Sequence, residues 1–81
     1  MMDTSDKFKY LLEIVNGIRA VAGRAALEQL RPEQKLQQDL ELDSLELAEM
    51  TVLIEAKFGV DVFDQGIVRT VGEVVERMQG G

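Results

Sequence analysis

The chain has 81 residues, a formal net charge of −6, and neither cysteine nor histidine. That length allows one small domain with a limited core. The missing residue types exclude disulfides, cysteine-ligated metals and any nucleophile–histidine pair. The acids concentrate between Asp39 and Asp64, where Lys57 is the single base. An acidic middle excludes the basic footprint that nucleic acid needs and favours partners with basic patches, although such charge often serves only as a solvated surface. No apolar run approaches the length of a membrane span. The N-terminus has no hydrophobic signal core, which points to a cytoplasmic protein.

Residues 1–4 read as a frayed start, and Ser5 as the cap of a first helix with Asp6 in its first turn. Phe8, Leu11, Leu12, Val15, Ile18 and Ala22 recur at helical spacing and predict one buried face. Lys7, Lys9, Glu13, Asn16 and Arg19 fall mainly on other faces. Gly17 lowers helix propensity without ending the helix, and Gly23 supplies a stop.

Residues 24–42 form a long connection with room for one helical turn at 25–30. Pro32 rules out a continuous helix. Long connections in small domains are often functional. Leu30, Leu36 and Leu40 are the residues expected to pin this one to the core.

The connection ends at Asp43-Ser44-Leu45-Glu46, a capping box with Asp in the Ser/Thr place. Ser44 then takes the first helical position. Its hydroxyl is exposed beside the positive end of the helix dipole, where free amides favour a phosphate ester. The second helix runs over residues 44–58 and stops at Gly59. At 100° per residue, Leu47, Met50, Ile54 and Phe58 share the core side. Leu45, Val52 and Ala56, with Ala48 and Glu49 close by, make an apolar stripe opposite, beside Glu46, Glu49 and Glu55. By pattern alone this stripe is covered either by another helix of the domain or by a partner.

Residues 60–62 alternate, but a lone strand has nothing to pair with, so they are assigned to loop. Residues 64–69 hold a short third helix, weakened by Gly66. Thr70-Val71-Gly72-Glu73 is another capping box. Val71, Val74, Val75 and Met78 then give the last helix a core stripe. Gly80 and Gly81 end the chain as a loose tail. With no internal repeat, residues 1–81 make one domain, ordered over about 5–79.

Leu36, Asp39, Leu40, Glu41, Leu42, Asp43, Ser44 and Leu45, followed by Phe58-Gly59, resemble the prosthetic-group site of the acyl carrier protein family. The usual pattern there is an apolar residue, then Asp-Leu-Gly-x-Asp-Ser-Leu, then a helix. Asp-Ser-Leu alone is a common tripeptide and usually marks only a capped helix start. The spaced leucines, the later Phe-Gly and the chain length add weight. Glu41 stands where many members have Gly, and Phe63 where many have Pro. The region before the last helix is shorter than in fatty-acid carriers.

The resemblance implies an all-α fold, a small four-helix bundle with a long first loop and a short third helix. It implies a monomeric carrier and not an enzyme. A separate phosphopantetheinyl transferase would move 4′-phosphopantetheine from coenzyme A onto Ser44. Asp43 would cap the helix and help hold Mg²⁺ in the transferase complex, with no metal on the isolated carrier. Acyl-loading and acyl-processing enzymes with basic docking patches would meet the second helix at Leu45, Glu46, Ala48, Glu49, Val52, Glu55 and Ala56. Three roles follow: a free-standing acyl carrier for fatty-acid or polyketide-type chemistry, an aminoacyl or peptidyl carrier, and an unmodified helical adaptor.

Overall fold

The computed structural model describes residues 3–64 and 66–79. Among the described residues its elements are three helices, α1 (Thr4–Val21), α2 (Ser44–Phe58) and α3 (Val71–Gln79). The fold is all-α, and α1 packs against both other helices. Among the described residues, no helix is long and apolar enough to cross a membrane. The tail at Gly80 and Gly81 lies outside the described residues.

Helix α1 begins earlier than its composition suggests. Asp3, not Ser5, is the N-cap, accepting from the Asp6 amide at 2.9 Å while Asp6 reaches back to the Asp3 amide. A carboxylate at the cap satisfies an orphan amide that Ser5, already inside the helix, cannot reach. The helix ends in a Schellman motif: the Arg24 amide donates to the Arg19 carbonyl and the Gly23 amide to that of Ala20. Gly23 has φ 79°, which a residue without Cβ adopts freely. Leu11, Val15 and Ile18 are buried, Phe8 and Leu12 are half-buried, and Ala22, at the C-cap, is exposed. Arg19 is buried too, contrary to its expected place off the apolar face.

The long connection contains no helical turn at residues 25–30. Asn16 takes that role by accepting from the Leu27 amide and donating to the Leu27 carbonyl, at 2.8 and 2.9 Å. With those groups satisfied from α1, the segment has no need of its own helical bonds. Further on, Leu36 donates to Arg69, Val71 to Gln34 and Gly72 to Pro32. Lys35 and Thr70 form an isolated antiparallel bridge. Gly72 makes this closeness possible, since a Cβ there would lie 3.1 Å from the Pro32 carbonyl oxygen. Leu36 and Leu40 are fully inside, joined by Leu42, and Leu30 packs at the edge.

The expected third helix is absent among the described residues, and Gln65 lies outside them. Asp61 accepts from the Phe63 amide at 3.0 Å, and Gly66 sits at φ 122°, far from helical values. Arg77 of α3 donates to the carbonyls of Val62 and Gly66, so the segment is tied down from outside and needs no helical bonds of its own. Residues 60–62 are loop, as the isolated alternation implied.

The core joins the helices through Met50 and Ile54 of α2 and Val71, Val74, Val75 and Met78 of α3. Phe58 is only half-buried, stacking edge-on against Tyr10 with ring centres 5.8 Å apart. Ile54 is therefore the sharper probe of the core. Ile54→Ala should cost about 2–5 kcal/mol, out of a total of about 5–15 kcal/mol for a domain. A urea titration with an unchanged midpoint would show that Ile54 is not the central residue of this core.

Candidate functional site

The loop-to-helix junction at residues 40–46 is built by burial on one side and capping on the other. Leu40 and Leu42 both enter the core, so Glu41 between them is turned outward. That turn requires φ 59° at Glu41, the one positive φ at a non-glycine among the described residues. The Leu42 amide donates to the Leu36 carbonyl and the Lys35 amide to Asp39 Oδ2, closing the loop on itself.

Asp43 is then extended, at φ −85° and ψ −178°, and caps α2. Its Oδ1 accepts from the Glu46 amide at 2.8 Å, and Glu46 Oε1 accepts from the Asp43 amide at 3.0 Å. Arg24 Nη1 donates to both Glu46 oxygens, at 3.1 and 3.2 Å. Ser44 follows at the first helical position and is exposed. Among the described residues, nothing hydrogen-bonds its hydroxyl. An exposed, unencumbered hydroxyl at the amide-rich end of a helix fits a phosphodiester, whose negative charge is favoured there.

Those bonds act on the titration of Glu46. The Asp43 amide, and next the Arg24 guanidinium, hold the Glu46 carboxyl below the usual glutamate range. Glu73 is lowered likewise by the amides of Arg69 and Thr70 and by the Thr70 hydroxyl. A depressed carboxylate stabilises the fold above its unfolded pKa, and that contribution is lost as pH falls through the folded value. The melting temperature should therefore drop as pH falls below the ordinary glutamate value of about 4.3. A Glu46→Gln/Glu73→Gln protein should melt lower at neutral pH and show a shallower acid dependence. Equal slopes for the two proteins would contradict the role given to these caps.

Of the residues assigned to a partner surface, Leu45, Ala48, Glu49, Val52, Glu55 and Ala56 are all exposed. Leu45 is 71% and Val52 65% exposed, so no other described element covers the outer stripe. Leu53, 45% exposed, extends it and was not anticipated. These apolar residues form a shallow hollow with Ala48 and Glu49. Glu46 is different: only 12% of its side chain is exposed, and it is held by Arg24. Among the described residues, Glu49 and Glu55 enter no ion pair and accept no side-chain hydrogen bond.

A second hollow, of about 640 Å³, lies one turn along α2 from Ser44, where Leu47 meets Leu36, Phe63 and Val68. Among the described residues, no group of acids could hold a metal ion.

Residues 12–78 match the family model described as the phosphopantetheine attachment site. The chain is 35% identical over 71 residues to the meromycolate extension acyl carrier protein of Mycobacterium tuberculosis, an overlap of 85% of this chain and 56% of that protein. It is 34% identical over 68 residues to the acyl carrier protein of Acidothermus cellulolyticus, covering 82% of this chain and 76% of that one. With the acyl carrier protein of Thermobifida fusca it shares 36% over 73 residues, 83% of this chain and 91% of that one. The chain thus spans little more than half the length of the Mycobacterium tuberculosis protein. No solved structure matches it significantly. These matches place the chain in the acyl carrier protein family, with the family model of the phosphopantetheine attachment site covering most of it.

Proposed function

We propose that Ser44 is the attachment point of 4′-phosphopantetheine and that the protein carries acyl intermediates for fatty-acid or polyketide-type biosynthesis. The exposed Ser44 hydroxyl at the first position of a doubly capped helix carries this reading. When bound, the group supplies the thiol that this cysteine-free chain lacks and that holds an acyl chain as a thioester. The chain's own residues present that group. Asp43 fixes the start of α2 and is the carboxylate nearest in sequence to meet Mg²⁺ in the transferase complex. The outer stripe of α2 docks the transferase and the acyl-loading and processing enzymes. The hollow beside Leu47, where Leu36, Phe63, Ile67 and Val68 line it together with polar residues, is the place for an acyl chain to shelter. Tethering keeps each intermediate at high effective concentration. The protein acts as a cytoplasmic monomer.

The test is intact mass after incubation with a phosphopantetheinyl transferase and coenzyme A, with peptide mapping of the added mass. Addition at Ser44 supports the reading, whereas an unchanged mass favours an unmodified adaptor. Loading then names the cargo. Transfer of a malonyl group supports the acyl carrier, in line with the meromycolate-extension name of one relative. Loading by an adenylating enzyme with an amino acid would make it an aminoacyl carrier instead.

A further inference from the structure

Ser44 lies between two anchored points, and both anchors are arginines, one in the last turn of α1 and one just beyond it. Upstream, Arg19 is only 6% exposed. Its Nη1 donates to the Leu40 carbonyl at 2.6 Å, its Nε donates to the Ala25 carbonyl at 3.1 Å, and Glu41 Oε1 lies 3.6 Å from Nη1. A guanidinium is costly to bury unless such acceptors surround it. Two of them, on Leu40 and Glu41, belong to the turn that keeps Glu41 at φ 59°, a conformation unfavourable for a residue with a Cβ. Downstream, Arg24 holds both oxygens of Glu46, whose carboxylate closes the capping box on Asp43. The two arginines are themselves linked, since the Arg24 amide donates to the Arg19 carbonyl at 2.9 Å. The Schellman turn of α1 therefore sets the spacing between the two grips. Among the described residues Ser44 has no side-chain bond to orient it, so its direction follows from the backbone they hold.

We propose that Arg19 and Arg24 are positioning residues for the modification of Ser44. They fix the junction from both sides, so that the hydroxyl meets the transferase in one orientation. This rests on Ser44 being the attachment point. The chemistry they serve is displacement at phosphorus. The Ser44 oxygen forms a new P–O bond to the pantetheine-bearing phosphorus of coenzyme A, its proton passes to a base of the transferase, and the P–O bond to the adenosine bisphosphate breaks, that bisphosphate leaving with the electrons of the bond. A junction that wavers lowers the fraction of encounters that are aligned. It does not lower the affinity of the docking stripe on α2, which neither arginine touches.

The experiment measures transferase kinetics with coenzyme A on the parent protein and on Arg24→Ala, Arg24→Lys, Arg19→Gln and Arg19→Gln/Glu41→Gly, each checked for folding by circular dichroism. Peptide mapping of the parent comes first; if its added mass is not on Ser44, the attachment reading fails and takes this inference with it. With Ser44 modified, Arg24→Ala should lower kcat about tenfold and leave KM for the carrier within about twofold. Arg24→Lys should restore most of the rate, because the ammonium can still reach Glu46. Arg19→Gln should also lower kcat, and Glu41→Gly should recover part of the loss, since glycine holds the positive φ without the clamp. If Arg19→Gln does not fold, the Arg24 pair decides alone. Parental kcat in folded Arg24→Ala, or a loss confined to KM, would overturn the proposal.

Discussion

Ser44→Ala should fold and melt like the parent, yet gain no mass from the transferase and coenzyme A under conditions that convert the parent completely. The folding half of this expectation follows from position. Ser44 is exposed, its hydroxyl bonds to nothing described, and alanine suits the first turn of a helix. The cap that starts α2 belongs to Asp43 and Glu46, which the substitution leaves in place. Surface changes of this kind shift stability by about 0.5 kcal/mol or less. The chemical half is absolute, because a phosphodiester needs the hydroxyl oxygen. The chain contains one other serine, Ser5, in the first turn of α1. Ser5 is also exposed near a helix start, which makes it the internal control. Added mass on Ser5, or on a threonine, in the Ser44→Ala protein would show that the transferase reads something other than the α2 junction.

What could be read from the residues depended on how local its cause was. Helix α2 was bounded correctly because each limit is a short-range event: Asp43 and Glu46 cap it, and Gly59 ends it at φ 72°. The Thr70–Glu73 box did the same for α3. The start of α1 was less legible because its box pairs two aspartates, and Asp6 is shorter than the usual Glu or Gln in that place. The third helix failed for a non-local reason. Arg77, more than ten residues away, supplies bonds to the Val62 and Gly66 carbonyls that hold the described residues there in a non-helical path. The two arginines at the junction reach residues 21 and 22 positions away, and no local pattern encodes such a pair. Arg19 did leave a trace. It follows Val15 by four residues and Leu12 by seven, so it lies on the apolar stripe of α1, where a charge implies a buried acceptor. Glu46 left none. Its spacing fits a partner-facing charge and a capping residue equally well, and only the fold brings Arg24 to it.

Val52→Asp and Glu49→Lys should both weaken docking of the transferase, and salt should tell them apart. Val52 and Leu45 stand out from the apolar stripe, whose hollow Ala48, Leu53 and Glu49 also line. A carboxylate at position 52 would enter an apolar contact with no partner, a penalty of about 3–5 kcal/mol for an uncompensated buried charge. That corresponds to a rise in Kd of about a hundredfold or more, expressed mainly as faster dissociation. Salt should leave this loss nearly unchanged, because the charge is removed from solvent. Glu49→Lys instead reverses a rim charge, so it should slow the encounter with a basic patch. Its penalty should shrink as the screening length falls from about 10 Å at 0.1 M to about 3 Å at 1 M salt. Glu46 is the informative negative. Held by Arg24 and the Asp43 amide, it contributes little to steering, so Glu46→Gln should alter the salt dependence far less than Glu49→Lys. Binding of the unmodified protein to the transferase, followed at several salt concentrations, gives all three comparisons. Positions 49 and 52 both face away from the core, so neither change should unfold the domain. Two folded variants with parental affinity at every salt concentration would mean that the transferase docks elsewhere. The outer stripe of α2 would then have to be kept for the acyl-processing enzymes alone.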